Sequence, residues 1–206
     1  TLINETISKI GGSVTVKGWV NTRRDHGKIV FIDLRDRTGL LQVVLSPELA
    51  GSLHSEDVVY ITGKVQARPE KLVNPKLATG TVEISAEKVE IAAKSADLPF
   101  DMSRETLDLE LPTLLDYRAL TLRHPKVQAI FKVQEVIIDS FRKALQAKDF
   151  LEFQAPCITP AVAEGGAEVF RVKYFEYEAY LSQSPQLYKS LLVGDFERVF
   201  SVNKVF

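Results

Sequence analysis

Ser13-Val14-Thr15-Val16-Lys17-Gly18-Trp19-Val20 alternates polar and apolar residues. Successive side chains of a strand point to opposite faces, so this stretch predicts a strand with one face buried and one face wet. Residues 28–34 and 39–45 read as two further strands on either side of a polar turn, Arg35-Asp36-Arg37-Thr38. Residues 57–65 and 80–89 supply two further β-branched runs, and residues 46–52 interrupt with helical composition. Five strands within about 80 residues fit a small closed barrel of the OB type. A sandwich is the alternative, but it usually needs about seven strands.

The chain changes character after the fifth run. Ala92-Ala93-Lys94-Ser95-Ala96-Asp97-Leu98-Pro99 is small and polar, and Pro112 follows. Residues 93–115 therefore read as a linker with a short helical hinge. His124-Pro125 then opens a long helical pattern, with Pro125 suited to the first turn. Val127, Ile130, Phe131, Val133, Ile137, Ile138, Phe141 and Leu145 fall mostly three or four apart and make one apolar face. Periodicity alone leaves that face as ordinary core packing. Residues 150–153 alternate as a strand, and Pro156 and Pro160 break it. Residues 170–173 and 178–183 read as a hairpin, 186–193 as a helix and 197–205 as a return to strand. The fold class expected is α+β: a five-stranded barrel over residues 1–92, then an antiparallel sheet with helices over residues 116–206.

Composition excludes several classes. The 206 residues are 45% hydrophobic and 26% charged, as in ordinary globular proteins. A net charge of -1 gives no global basic field, so nucleic acid would have to be met by a local patch. The single cysteine, Cys157, rules out an intramolecular disulfide and a thiol cluster for zinc, and its apolar surroundings suggest a buried small hydrophobe. No apolar run reaches the ~18 residues of a membrane span and no signal-like segment opens the sequence as written, so a cytoplasmic location is expected.

Two groups of residues carry chemistry. Arg23 and Arg24 lie beside strands holding Phe31 and Gln42. Unpaired RNA bases are read by stacking on aromatic rings and by hydrogen bonds to their edges, which Phe31, Gln42 and Arg24 could supply. Within its apolar run, Phe31 alone would read as core. In the second group, Glu164-Gly165-Gly166-Ala167-Glu168 precedes Gln183-Ser184-Pro185-Gln186-Leu187-Tyr188-Lys189. A carboxylate, carboxamides and an ammonium suit a small zwitterion, with Glu164 for an α-ammonium and Lys189 for a side-chain carboxylate.

Those same residues carry a resemblance. QSPQLYK after EGGAEVF and KYFEYEAYL is similar to the amino-acid pocket of aspartyl-tRNA synthetases, in the branch shared by archaeal and some bacterial enzymes. GWVNTRRDHG leading into VFIDLRD resembles the anticodon-binding barrel of that family, and FERVF resembles the entry to its second class II motif. The resemblance spans roughly residues 10–206. It implies an aspartate–tRNA ligase that uses ATP with Mg²⁺, binds L-aspartate and the aspartate tRNA (for some members the asparagine tRNA as well), and dimerises through the long helix. It implies that Arg24, Phe31 and Gln42 contact the anticodon, with His26 and Lys71 near its third base. It places aspartate against Glu164, Gln186 and Lys189, with Gln183 and Ser184 as neighbours, and no metal ligand or catalytic arginine in the residues present. The sequence departs from the family in a short segment before Glu164. It also stops before the end of the second motif and lacks the third, so a truncated sequence unable to activate aspartate alone is expected. A non-catalytic tRNA-binding paralogue and an asparagine–tRNA ligase are the alternatives. Lys189 speaks against the second, because asparagine-specific members lack a lysine there.

Overall fold

β1 (Ser13–Asp25), β2 (Val30–Asp36), β3 (Gly39–Leu45), β4 (Val58–Ala67) and β5 (Val82–Ala93) close into a barrel in the order β1-β2-β3-β5-β4. These are the five strands expected. The computed structural model describes residues 1–102, 104, 106–162 and 168–206. The pairings are antiparallel except β3 with β5, which runs parallel through Val43↔Ile84 and Val44↔Ser85. Alternation fills the interior: Val16, Val20, Ile32, Leu34, Leu41, Val43, Ile61, Val65 and Ile84 are fully buried. Each such aliphatic side chain contributes about 1.5–3 kcal/mol of burial. A 3-10 helix, Ile3–Lys9, also enters the core through buried Ile3, whose N–H donates to Asp36 Oδ2 at 2.9 Å. A short helix α1 (Pro47–Ala50) follows β3, its first turn capped by the Ser46 hydroxyl, which accepts from Leu49 N–H at 3.3 Å.

Gly63 occupies an inward position in β4 where no larger residue fits. A Cβ there would lie 2.2 Å from the Ser85 carbonyl oxygen, so glycine is required by close approach of two strands rather than by a turn.

The first compact unit is Thr1–His124 and the second Pro125–Phe206. The first unit continues past the barrel to α2 (Leu111–Asp116) and α3 (Arg118–Thr121). Ser95 N–H donates to the buried Asp57 carboxylate at 2.7 Å, and Arg123 pairs with Glu56 at 2.5 Å. The stretch after β5 is thereby tied to the loop that precedes β4.

In the second unit α4 (Pro125–Gln146) is the long helix expected. Within this chain none of its residues is buried, and Ile130, Phe131, Val133, Val136, Ile137 and Phe141 stay exposed. β6 (Leu151–Glu152), β7 (Ile158–Thr159), β8 (Arg171–Tyr174), β9 (Tyr177–Leu181), α5 (Gln186–Phe196) and β10 (Val199–Phe200) complete it. β7, β9 and β8 form the antiparallel sheet, whereas β6 and β10 pair in parallel. The strand expected over residues 197–205 shrinks to Val199–Phe200, because only these two residues find a partner strand. Cys157 is exposed, contrary to its apolar neighbourhood: it precedes β7 in a loop and contributes its carbonyl to Ser182 N–H. No helix among the described residues is long and apolar enough to cross a membrane.

Candidate functional site

The outer face of β1, β2 and β3 gathers the first group of residues. Inward positions in β2 are Val30, Ile32 and Leu34, so the odd-numbered neighbours Phe31 and Asp33 turn outward. Register places Arg24 opposite Phe31, Phe31 opposite Val44, and Asp33 opposite Gln42. Arg24 Nη2 donates to Asp33 Oδ1 at 2.9 Å and reaches Gln42 Oε1 at 3.4 Å. Gln42 Nε2 donates to Glu83 Oε2 at 2.8 Å, which fixes how the amide points. The Thr22 hydroxyl donates to Asp33 Oδ2. Phe31 is half-buried, with the His26 ring edge-on to it at 5.5 Å between centroids. The result is an aromatic surface flanked by an anchored guanidinium, 49% exposed, and an oriented amide. Such a surface can stack an unpaired base and bond its edge.

Arg23, next in sequence to Arg24, does something else. It lies opposite buried Ile32 and donates to the carbonyls of Gly51 and Leu53 at 2.9 and 3.0 Å, which ties β1 to the loop after α1. Lys71 sits exposed on a 3-10 turn, Glu70–Leu72, between β4 and β5 and takes no part in the Arg24 network. The sequence reading passed over Asp33 and Glu83, the two carboxylates that orient Arg24 and Gln42. Outward parity in β2 and β5 was the signal that could have found them.

The second group lies around α5. A cavity of about 250 Å³ is lined by Gln183, Ser184, Tyr180, Leu187, Tyr188 and Leu191, among others. Gln183 Nε2 donates to the Glu168 carbonyl at 2.7 Å, and its Oε1 is buried without a hydrogen-bond partner among the described residues. Gln186 and Lys189 stand three apart on α5 and so share one side of the helix, while the cavity is lined from the other side by Leu187, Tyr188 and Leu191. Lys189 is half-buried and forms no ion pair among the described residues. Glu164 lies outside the described residues. Among the described residues no cluster of His, Cys, Asp or Glu could hold a metal ion.

A closed five-stranded barrel with an outward aromatic and amide face, followed by an antiparallel sheet with α5, defines an OB-fold nucleic-acid-binding domain joined to part of a class II synthetase core. Residues 14–92 match the family described as OB-fold nucleic acid binding domain, and residues 110–206 match tRNA synthetases class II (D, K and N). The chain belongs to the class II tRNA synthetases of this group.

It is 41% identical over 206 residues to an aspartate–tRNA(Asp/Asn) ligase of Archaeoglobus fulgidus, covering 95% of this chain and 46% of that protein. It is 41% identical over 208 residues to an aspartate–tRNA ligase of Oceanobacillus iheyensis, covering 96% of this chain and 35% of that one. The chain thus spans between a third and a half of the curated relatives it matches. Among solved structures, it superposes on an asparaginyl-tRNA synthetase of Pyrococcus horikoshii bound to asparaginyl-adenylate with a TM-score of 0.81 at 32% identity, over 97% of this chain and 46% of that one. An aspartyl-tRNA synthetase of Entamoeba histolytica gives 0.76 at 25% identity, over 100% and 45%.

Proposed function

We propose that this chain is part of an aspartate–tRNA ligase. In this reading L-aspartate is activated by ATP and passed to the 3′ end of tRNA. One observation carries the choice of amino acid: Lys189 is a half-buried residue whose ammonium forms no ion pair among the described residues. Of aspartate and asparagine, only aspartate brings a side-chain carboxylate to meet it. The names of the relatives support the reading, and those named for both tRNAs support an aspartate tRNA with the asparagine tRNA as a second acceptor. Asparagine ligation is the competing reading, favoured by the likeness to the Pyrococcus horikoshii structure and opposed by Lys189. Pyrophosphate exchange that depends on aspartate and not on asparagine, in the full-length protein, tests the proposal. Exchange with neither would leave a tRNA-binding protein without ligase activity.

ATP would enter with Mg²⁺, and among the described residues no cluster of His, Cys, Asp or Glu could hold that ion. The protein's part is positional. Lys189 and Gln186 would orient the side-chain end of aspartate, Gln183 and Ser184 would border it, and Glu164 would take the α-ammonium. Holding reactants in line supplies much of the rate in such transfers.

We also assign residues 1–92 to anticodon binding, 93–115 to the hinge and 116–206 to the catalytic part. Arg24, Phe31 and Gln42 would meet the anticodon, with His26 and Lys71 near its third base. Phe31→Ala is expected to weaken binding of the aspartate anticodon stem-loop by ~1–3 kcal/mol, the usual worth of one stacked base. Unchanged affinity with a folded barrel would remove the stacking role.

The exposed apolar side chains of α4 support a homodimer built across that helix. Sedimentation of the full-length protein at micromolar concentration should give a dimer, and a clean monomer would count against it. A cytoplasmic location fits this function.

A further inference from the structure

β1 contains an irregularity whose consequence reaches the RNA-reading face. Up to Val20 the inward residues of β1 are even-numbered, with Val14, Val16 and Val20 buried. The register then shifts between Val20 and Thr22. Beyond the shift Arg23 lies opposite buried Ile32, while Thr22 and Arg24 lie opposite the outward Asp33 and Phe31. Asn21 is the extra residue of a bulge. Were the strand regular with the same residues, Arg24 would keep the parity of Val14 and face the core. A bulge re-aims a side chain, and here it aims the arginine of the reading face.

The bulge is held on two sides. The Asn21 Oδ1 accepts from Arg35 Nη1 at 2.9 Å. The Nη2 of Arg35 donates to both oxygens of Glu56 at 2.8 Å. Glu56 is only 5% exposed and holds a left-handed backbone, φ 69°, which a non-glycine residue adopts only when its surroundings impose it. Its own N–H donates to the Val20 carbonyl at 2.7 Å, and Val20 N–H donates to the Asp57 carbonyl at 2.9 Å. The residue before the bulge and the bulged side chain are thus both fixed to residues 56–57, one through backbone and one through Arg35.

We propose that Asn21, Arg35 and Glu56 form a positioning chain for RNA reading: they touch no base, and they hold the bulge that turns Arg24 onto the reading face. This rests on the assignment of that face to the anticodon. On RNA binding the three residues act only through Arg24, whatever they also contribute to stability.

The test is a double-mutant cycle in the full-length protein, with the aspartate anticodon stem-loop as probe at fixed salt. Asn21→Ala should weaken binding by about tenfold, the order expected for one lost arginine contact. In an Arg24→Ala background Asn21→Ala should cost nothing further, because coupled residues are non-additive. Asn21→Asp keeps an acceptor for Arg35 and should keep wild-type affinity. If Asn21→Ala does not fold, Arg35→Lys replaces it. Lysine keeps a charge for Glu56, loses the fork that spans Glu56 and Asn21, and should show the same tenfold loss and the same dependence on Arg24. Full affinity of Asn21→Ala or Arg35→Lys while Arg24→Ala is weakened overturns the positioning chain alone. So does a loss that simply adds to that of Arg24→Ala. No loss from Arg24→Ala overturns the reading face itself, and the chain with it.

Discussion

Lys189→Leu in the full-length protein should lose aspartate activation by roughly thirty-fold to several thousand-fold while ATP binding changes little. The range corresponds to about 2–5 kcal/mol for truncating one member of a desolvated charge pair. Lys189 is only half-buried in this chain, which favours the lower part of the range. The selectivity argument does not depend on where in the range the loss falls. Asparagine would leave the ammonium desolvated and unpaired, and a site built for a charged partner rejects the analogue that lacks it. Glu164→Gln should weaken aspartate and asparagine alike, since both carry the α-ammonium. Pyrophosphate exchange with each amino acid measures both variants. A Lys189→Leu protein that retained the preference for aspartate would show that the discriminating contact lies elsewhere.

Glu56→Ala should destabilise the first unit by about 3–5 kcal/mol, the typical cost of breaking a buried ion pair from one side. Arg35 is the reason. Its side chain is 15% exposed and would be left with a charge that water cannot reach well. Arg123, the second partner of Glu56, is 38% exposed and can turn to solvent, so Arg123→Ala should cost no more than about 1 kcal/mol. Domains are stable by only about 5–15 kcal/mol, so the Glu56 loss would move a denaturation midpoint conspicuously. Trp19 is the single tryptophan of the chain, and Arg35 lies over its ring at 5.9 Å. Urea titration followed by its fluorescence therefore reports on this cluster. Equal, small losses for the two variants would mean that the Glu56–Arg35 pair contributes little.

Much of the barrel could be read from the chain because hydrophobic alternation is a direct consequence of strand geometry. Residues 13–17 show it without ambiguity, whereas in residues 39–45 the outward Leu40 and Val44 are apolar too. The last third of β1 was not legible for the same reason: Asn21 to Asp25 are all polar, and a bulge hides the parity that remains. That bulge also makes Arg23 a structural residue and Arg24 an outward one, a distinction that two adjacent arginines cannot announce. Phe31 looks like core when its apolar run is counted. Parity with Val30, Ile32 and Leu34 puts it outside, as the resemblance implied. In the second unit the positions of α4 and α5 were legible from period and composition. Which side of α5 carries Lys189 relative to the cavity was not, because that depends on how the helix rotates against the sheet. The exposed Cys157 and the short β10 show the same limit: apolar composition marks residues that could be covered, and only pairing and packing decide which of them are.

The parallel junction of β3 and β5 has one more consequence. It holds two residue pairs, where β1 with β4 and β2 with β3 each hold seven. A cylinder parts along its least stitched line, so local opening should concentrate there. The Gln42–Glu83 hydrogen bond crosses that line on the outside, one residue from Val43 and Ile84. The face proposed to read RNA therefore straddles the thinnest seam of the barrel. A nucleotide gripped across it would act as a clasp, so recognition and stiffening of the barrel become one event.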